Sequence, residues 1–220
     1  MKTITRKKSF EDVNKMLEGF NKIYIFGCGT CATMCGTGGN PEVSEMKKKL
    51  QNIGKVITDS LVIPTACDDL TKDMVKQHLK EIKESDAILV MACAFGVQTI
   101  ASLITKPVFP ALDTLFIGRE EGIGYFAEIC MQCGECVLDK TAGICPVTRC
   151  AKSLLNGPCG GSVNGKCEVD PNIDCAWQLI YDRLKDLGQL KRLEEIIAIK
   201  DWSKSRDGGP RSINREDLGL

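Results

Sequence analysis

The sequence predicts an α/β fold: a parallel sheet with flanking helices, followed by a small cysteine-rich module and a helical, extended C-terminal tail. Three observations point there. Short apolar runs alternate with stretches of helical period over the first 118 residues, and connections of helical length between strands favour parallel pairing. Past Gly118 the periodicity fades, and residues 130–175 carry eight cysteines among turn-forming residues. The apolar period then returns near Cys175 and is lost again in the Gly-, Ser- and charge-rich end. The expected units are therefore residues 1–118, 119–176 and 177–220.

The elements follow in order. Ser9 with Asp12 forms a capping box for a helix over residues 9–20, whose Val13, Met16, Leu17 and Phe20 share one face. The apolar run 23–26 is a strand leading into the loop GCGTCATMCGTGGNP (27–41). A helix over 43–53 shows Val43, Met46, Leu50 and Ile53 on one side, with Lys47, Lys48 and Lys49 on its wet face. Residues 55–63 read as a strand running to Pro64 and Cys67. A lysine-rich helix over 70–84 precedes the strongest strand, 87–92, which ends at Cys93. A helix over 96–104 and extended chain over 107–117 follow. The last helical pattern, 175–197, carries Trp177, Ile180, Tyr181, Leu184 and Leu187.

Composition excludes several functions. The 29 basic and 29 acidic residues cancel, so the chain lacks the basic face of a nucleic-acid or membrane-surface binder. The N-terminus has no apolar stretch after its basic residues, and the longest apolar run, 87–97, is too short to span a bilayer, so a cytoplasmic location is expected. No Ser–His–acid set, paired-carboxylate motif or P-loop is present, and no catalytic residue is assigned. The only histidine, His78, lies among lysines and reads as a solvated residue.

Thirteen cysteines dominate what remains. In a reducing compartment such a number points to metal ligation, and thiolates select iron–sulfur clusters or zinc. In an open α/β sheet ligands bind beyond the carboxyl ends of the strands. Cys28, Cys31 and Cys35, then Cys67, then Cys93 each follow a strand, so four of these five are expected to share one cluster. The run GCGTCA (27–32), with Asp59 on the next strand, also fits a dinucleotide fingerprint. Gly36, Gly38, Gly39 and Pro41 would interrupt the helix this needs, and cysteines would face the pyrophosphate. A second set, Cys130, Cys133 and Cys136, has the ferredoxin-type spacing for a [4Fe-4S] cubane; Cys145, which precedes a proline, is a candidate fourth ligand at a departed spacing. Cys150, Cys159, Cys167 and Cys175 supply a further site, with Cys145 assignable to either. Spacing leaves iron–sulfur or zinc open there, with iron–sulfur the reading adopted. Two or three clusters are expected in all. In the tail Trp202, Arg206, Arg211 and the Gly208-Gly209-Pro210 turn have the composition of a partner-docking arm.

The segments LLNGPCGGSVNGKCE (154–168), GCGTCATMCGTGG (27–39) and DWSKSRDGGPR (201–211) resemble the methylenetetrahydrofolate reductase C-terminal domain family, found in the small iron–sulfur subunit of acetogen-type bacterial reductases. The resemblance implies a non-catalytic, heteromeric electron-transfer subunit in one-carbon metabolism. Its partner would be a separate TIM-barrel subunit that carries the flavin and reduces 5,10-methylenetetrahydrofolate to 5-methyltetrahydrofolate, with an electron-donor protein upstream. This chain has neither a flavin or folate motif nor the roughly 250 residues of a barrel. The competing readings are a structural adaptor whose zinc or iron–sulfur sites only hold the fold, and a freestanding nicotinamide oxidoreductase.

Overall fold

A computed structural model describes residues 2–206 and 209–213. The chain divides into two compact units, residues 1–126 and 127–220. No helix among the described residues is long and apolar enough to cross a membrane.

The first unit is built on a parallel sheet in the order β3–β2–β4–β5, with β2 at Lys22–Cys28, β3 at Val56–Ile63, β4 at Ala87–Met91 and β5 at Val108–Pro110. Alternation along the central strands feeds two cores. Tyr24, Phe26, Ile88 and Val90 face the helices α4 (Thr71–Gln77), α5 (Leu79–Glu84) and α6 (Ala94–Leu103). Ile23, Ile25, Leu89 and Met91 face α1 (Phe10–Met16) and α3 (Asn40–Asn52). The expected parallel sheet with flanking helices is thus present. Because β3 lies on one side of β2 and β4 on the other, the crossover direction reverses between β2 and β4, which opens a crevice at their carboxyl ends.

Several elements differ from the sequence reading. The strand β1 (Lys2–Lys7) was not expected; it pairs antiparallel with β6 (Leu112–Gly122), which pairs in turn with β7 (Tyr125–Ala127) in a separate three-stranded sheet. The helix expected over 70–84 is broken at His78, whose φ of −109° and ψ of 15° leave the helical region. That side chain is not fully solvated: its Nδ1 lies 3.6 Å from Asp59 Oδ2 and its ring meets Tyr24 edge-on. Asp59 sits in the middle of β3, paired with Tyr24, away from the strand end that a dinucleotide fingerprint requires. One short helix, α2 (Cys31–Met34), does start inside the GCGTCA run, but it ends after a single turn at Cys35.

Asp86 ties two strand starts together by accepting the backbone amides of Asn21 and Lys22 at 3.0 and 2.8 Å. Those bonds, Lys22 first, hold its carboxyl below the usual range. The stabilisation is complete above the ordinary carboxylate pKa and lost as pH falls through the lowered folded value. Asp86→Asn should therefore leave a shallower acid limb in the pH dependence of the melting temperature, measured between pH 2 and 6; an unchanged limb would refute this role.

In the second unit, regular structure is sparse: α7 (Pro146–Arg149), α8 (Ala176–Asp186) and two short 3-10 turns, Leu190–Glu194 and Trp202–Lys204. The helical pattern expected to 197 thus ends as α-helix at Asp186. Trp177, Ile180 and Leu184 of α8 pack on Ala142, Ile144, Cys150 and Leu154, and Trp177 Nε1 donates to the Leu154 carbonyl at 2.9 Å. With Val137, Pro146, Val147, Ala176 and Ile197 the only other buried apolar residues described in this unit, its core is small, so the cysteine-rich segment must hold itself by other means.

Candidate metal and cluster sites

All thirteen cysteines are free thiols. Among the described residues, no group of three or more His, Cys, Asp or Glu side chains stands in ready-made metal-binding geometry. The fold nevertheless distributes the cysteines unevenly in space.

At the sheet rim, Cys28 ends β2, Cys31 opens α2, Cys67 follows β3 and Cys93 precedes α6. Cys67 lies within electrostatic reach of Cys93, Cys28 and Cys31; burial first, then those neighbouring thiolates, push its thiol up. Cys35 points elsewhere, its Sγ 3.8 Å from the Thr3 carbonyl of β1. Cys28, Cys31, Cys67 and Cys93 therefore lie near one another at the rim, while Cys35 meets β1. Burial pushes the Cys28 thiol up, but the Ala66 amide, the Thr30 hydroxyl 3.4 Å away and the Thr30 and Ala32 amides outweigh it and hold the thiol below its ordinary range. Backbone amides aimed at sulfur are what a buried thiolate ligand needs.

Glycines allow this crowding. The Cys28 amide donates to the Gly38 carbonyl at 2.9 Å, and a β-carbon on Gly38 would stand 1.9 Å from the Met91 carbonyl oxygen. A β-carbon on Gly96 would stand 2.9 Å from Ala66, so α6 reaches the Cys67 loop only because residue 96 has no side chain.

In the second unit Cys130, Cys133, Cys136 and Cys145 line one cavity of about 230 Å³, with Ile129, Val137 and Val147 among the other walls. Gln132 (φ 55°) and Gly134 (φ 82°) turn the backbone left-handed between the first three cysteines. Thr148 ties the distant fourth to them: its hydroxyl accepts the Met131 amide at 3.0 Å and lies 3.7 Å from Cys145 Sγ. Cys145 thus lines the same cavity as the ferredoxin-like run despite its departed spacing.

Cys150, Cys159, Cys167 and Cys175 line another cavity, of only about 20 Å³. A tight hairpin shapes it. Val163 and Lys166 exchange backbone hydrogen bonds of 3.1 and 2.9 Å around Asn164 (φ 52°) and Gly165 (φ 75°). The Cys167 amide donates to the Ile173 carbonyl at 3.0 Å and the Cys175 amide to the Gly165 carbonyl at 2.8 Å. Cys175 also caps the amino end of α8.

The described tail folds back on the second unit. Lys200 is buried and its Nζ donates to the Glu135 carbonyl, while Trp202 stays partly exposed. Gly208, named for a docking turn, lies outside the described residues. Sequence reasoning gave no role to Lys200, Glu135 or Thr148; each is an ordinary polar residue in a stretch without period, and no local signal marks it.

Residues 109–203, a little under half of the chain, match the family described as methylene-tetrahydrofolate reductase C terminal. The match takes in both cysteine sets of the second unit and leaves the rim set outside. No curated protein matches the chain. Two solved structures show a weak likeness. One is a branched-chain amino acid ABC transporter from Rhodospirillum rubrum, at TM-score 0.34 and 15% identity over 46% of this chain and 28% of that one. The other is an ABC transporter substrate-binding protein from Sphaerobacter thermophilus, at TM-score 0.34 and 17% identity over 45% and 27%. The chain spans under a third of either protein.

Proposed function

We propose that this chain is a MetV-type small subunit of a methylenetetrahydrofolate reductase, relaying electrons through thiolate-bound clusters toward the flavin of a separate catalytic subunit. The family match over residues 109–203 supports a place in that reductase system. The observation that carries the electron-relay reading is the grouping of cysteines: four at the sheet rim, four around the larger cavity, four around the smaller one. Four thiolates per set is the complement of a [4Fe-4S] cluster or of a tetrahedral zinc.

Size supports assigning them differently. The larger cavity suits a cluster, and the four rim thiols offer the ligands of another. The space within Cys150, Cys159, Cys167 and Cys175 is that of about one water molecule, which suits a single zinc ion. When bound, the clusters would supply one-electron carriers. The chain's own residues would set how those carriers behave. The Ala66, Thr30 and Ala32 amides donate toward Cys28 sulfur, which stabilises the more negative state and raises the potential. Burial of Cys28 and Cys93 keeps water from that side of the rim. The hairpin and α8 would give the zinc-bound set a structural task.

The test is iron, zinc and sulfide analysis of the anaerobically purified chain, with its EPR spectrum before and after dithionite. A brown protein with about eight iron atoms and about one zinc is expected. A colourless protein holding only zinc would leave the structural-adaptor reading.

A further inference from the structure

We infer that residues 200–204 together with Arg211 form a strap that positions the Cys130–Cys136 loop and places positive charge beside its thiols. This rests on the cluster reading for its electrical consequence, and on geometry alone for its mechanical one. Of the four residues between the three cysteines, Gln132, Gly134 and Glu135 meet the strap. Lys200 Nζ donates to the Glu135 carbonyl, and the Asp201 amide donates to Glu135 Oε2 at 2.9 Å. Lys204 Nζ stands 3.6 Å from Glu135 Oε1. The Gly134 α-carbon lies so close to Lys204 that a β-carbon there would stand 2.4 Å from the Lys204 carbonyl oxygen. Arg211 Nη1 bridges the Gln132 carbonyl at 3.0 Å and the Lys204 carbonyl at 2.6 Å, closing the strap on itself.

The loop needs such support. Gln132 and Gly134 both hold positive φ, and Gln132 is not a glycine, so its conformation carries a cost that neighbouring contacts must offset. Cys130 and Cys136 are exposed, and the segment 130–136 itself contains no helix or strand. Lys200 is the one strap cation that is buried, at 5% exposure, and a buried lysine beside a peptide carbonyl is held in place by that bond. Lys200, Lys204 and Arg211 bring three positive charges against Asp201 of the strap, 3.8 Å from Lys204 Nζ, and Glu135 of the loop, so one net positive charge remains beside the thiols. Cations near thiolates favour the more negative, reduced state of whatever the thiolates ligate. The strap residues are thus positioning residues for the loop, acting through Gln132, Gly134 and Glu135.

Lys200→Met and Arg211→Met in the full chain test this, with Lys200→Arg as the conservative control. Hydrogen exchange of amides 132–136 should quicken about fivefold in each Met variant, the change expected for one lost hydrogen bond, and stay near wild type in Lys200→Arg. In cluster-loaded protein, the midpoint potential of the signal lost in Cys133→Ser should move to more negative values in both Met variants. Unchanged exchange in both would overturn the strap. Quickened exchange with an unchanged potential would overturn its electrical role. A chain without iron would fail the cluster reading while the exchange experiment still decided the strap.

Discussion

Cys67→Ser or Cys93→Ser should each remove about four iron atoms per chain from anaerobically purified protein, whereas Cys35→Ser should remove none. The contrast follows from the rim geometry. Cys67 stands within electrostatic reach of Cys28, Cys31 and Cys93, while Cys35 turns toward the Thr3 carbonyl. Cys159→Ser should instead cost about one zinc and leave iron unchanged, because the space its set encloses is about one-tenth of that beside Cys130. Metal analysis of these variants, read with the EPR spectrum of the reduced protein, checks the whole partition. Iron lost on replacing Cys35 would show that the cysteines are grouped differently, and about four irons lost on replacing Cys159 would show that its set holds a cluster and not zinc.

Gly38→Ala should unfold or badly weaken the first unit, by about 3 kcal/mol or more, although it adds one methyl group to a loop. The new β-carbon would stand 1.9 Å from the Met91 carbonyl oxygen, which belongs to a buried central strand and has no room to move. The Gly38 carbonyl also accepts the Cys28 amide, so any shift of the loop disturbs the start of the rim set. Gly36→Ala makes the control. Gly36 has a φ of 62° with nothing within 4 Å, so alanine there should cost about 1 kcal/mol from backbone strain alone. Urea midpoints of the two variants compare the effects directly, and equal losses would mean that the close approach at Gly38 is relieved by local movement.

How much of this could be read from the sequence depends on how local each signal is. The parallel sheet was legible because each of its main strands is an apolar run set off by helical connections, and strand ends at Cys28 and Cys93 mark the rim. The strand β1 was not: in KTITRK only Ile4 is a large apolar residue, and its partner in β6 lies more than a hundred residues away. The break at His78 was hidden inside an unbroken helical period. Among the cysteines, the spacing grouped Cys130, Cys133 and Cys136, but that Cys145 lies beside them was visible only once Thr148 was seen to link it to Met131. Likewise Cys35 shares the sequence neighbourhood of Cys28 and Cys31, and only the fold turns it away.

The strap has a consequence for the order in which the protein is made. Lys200 follows Glu135 by 65 residues. At about 5 to 20 residues per second, the ribosome finishes the Cys130–Cys136 loop roughly 3 to 13 seconds before the strap residues exist. During that interval the loop has its thiols but not the contacts that fix Gln132 and Gly134, so delivery of iron and sulfide would meet an open, compliant site. The later arrival of Lys200 and Arg211 would then close it, making biogenesis a sequence of filling followed by fastening.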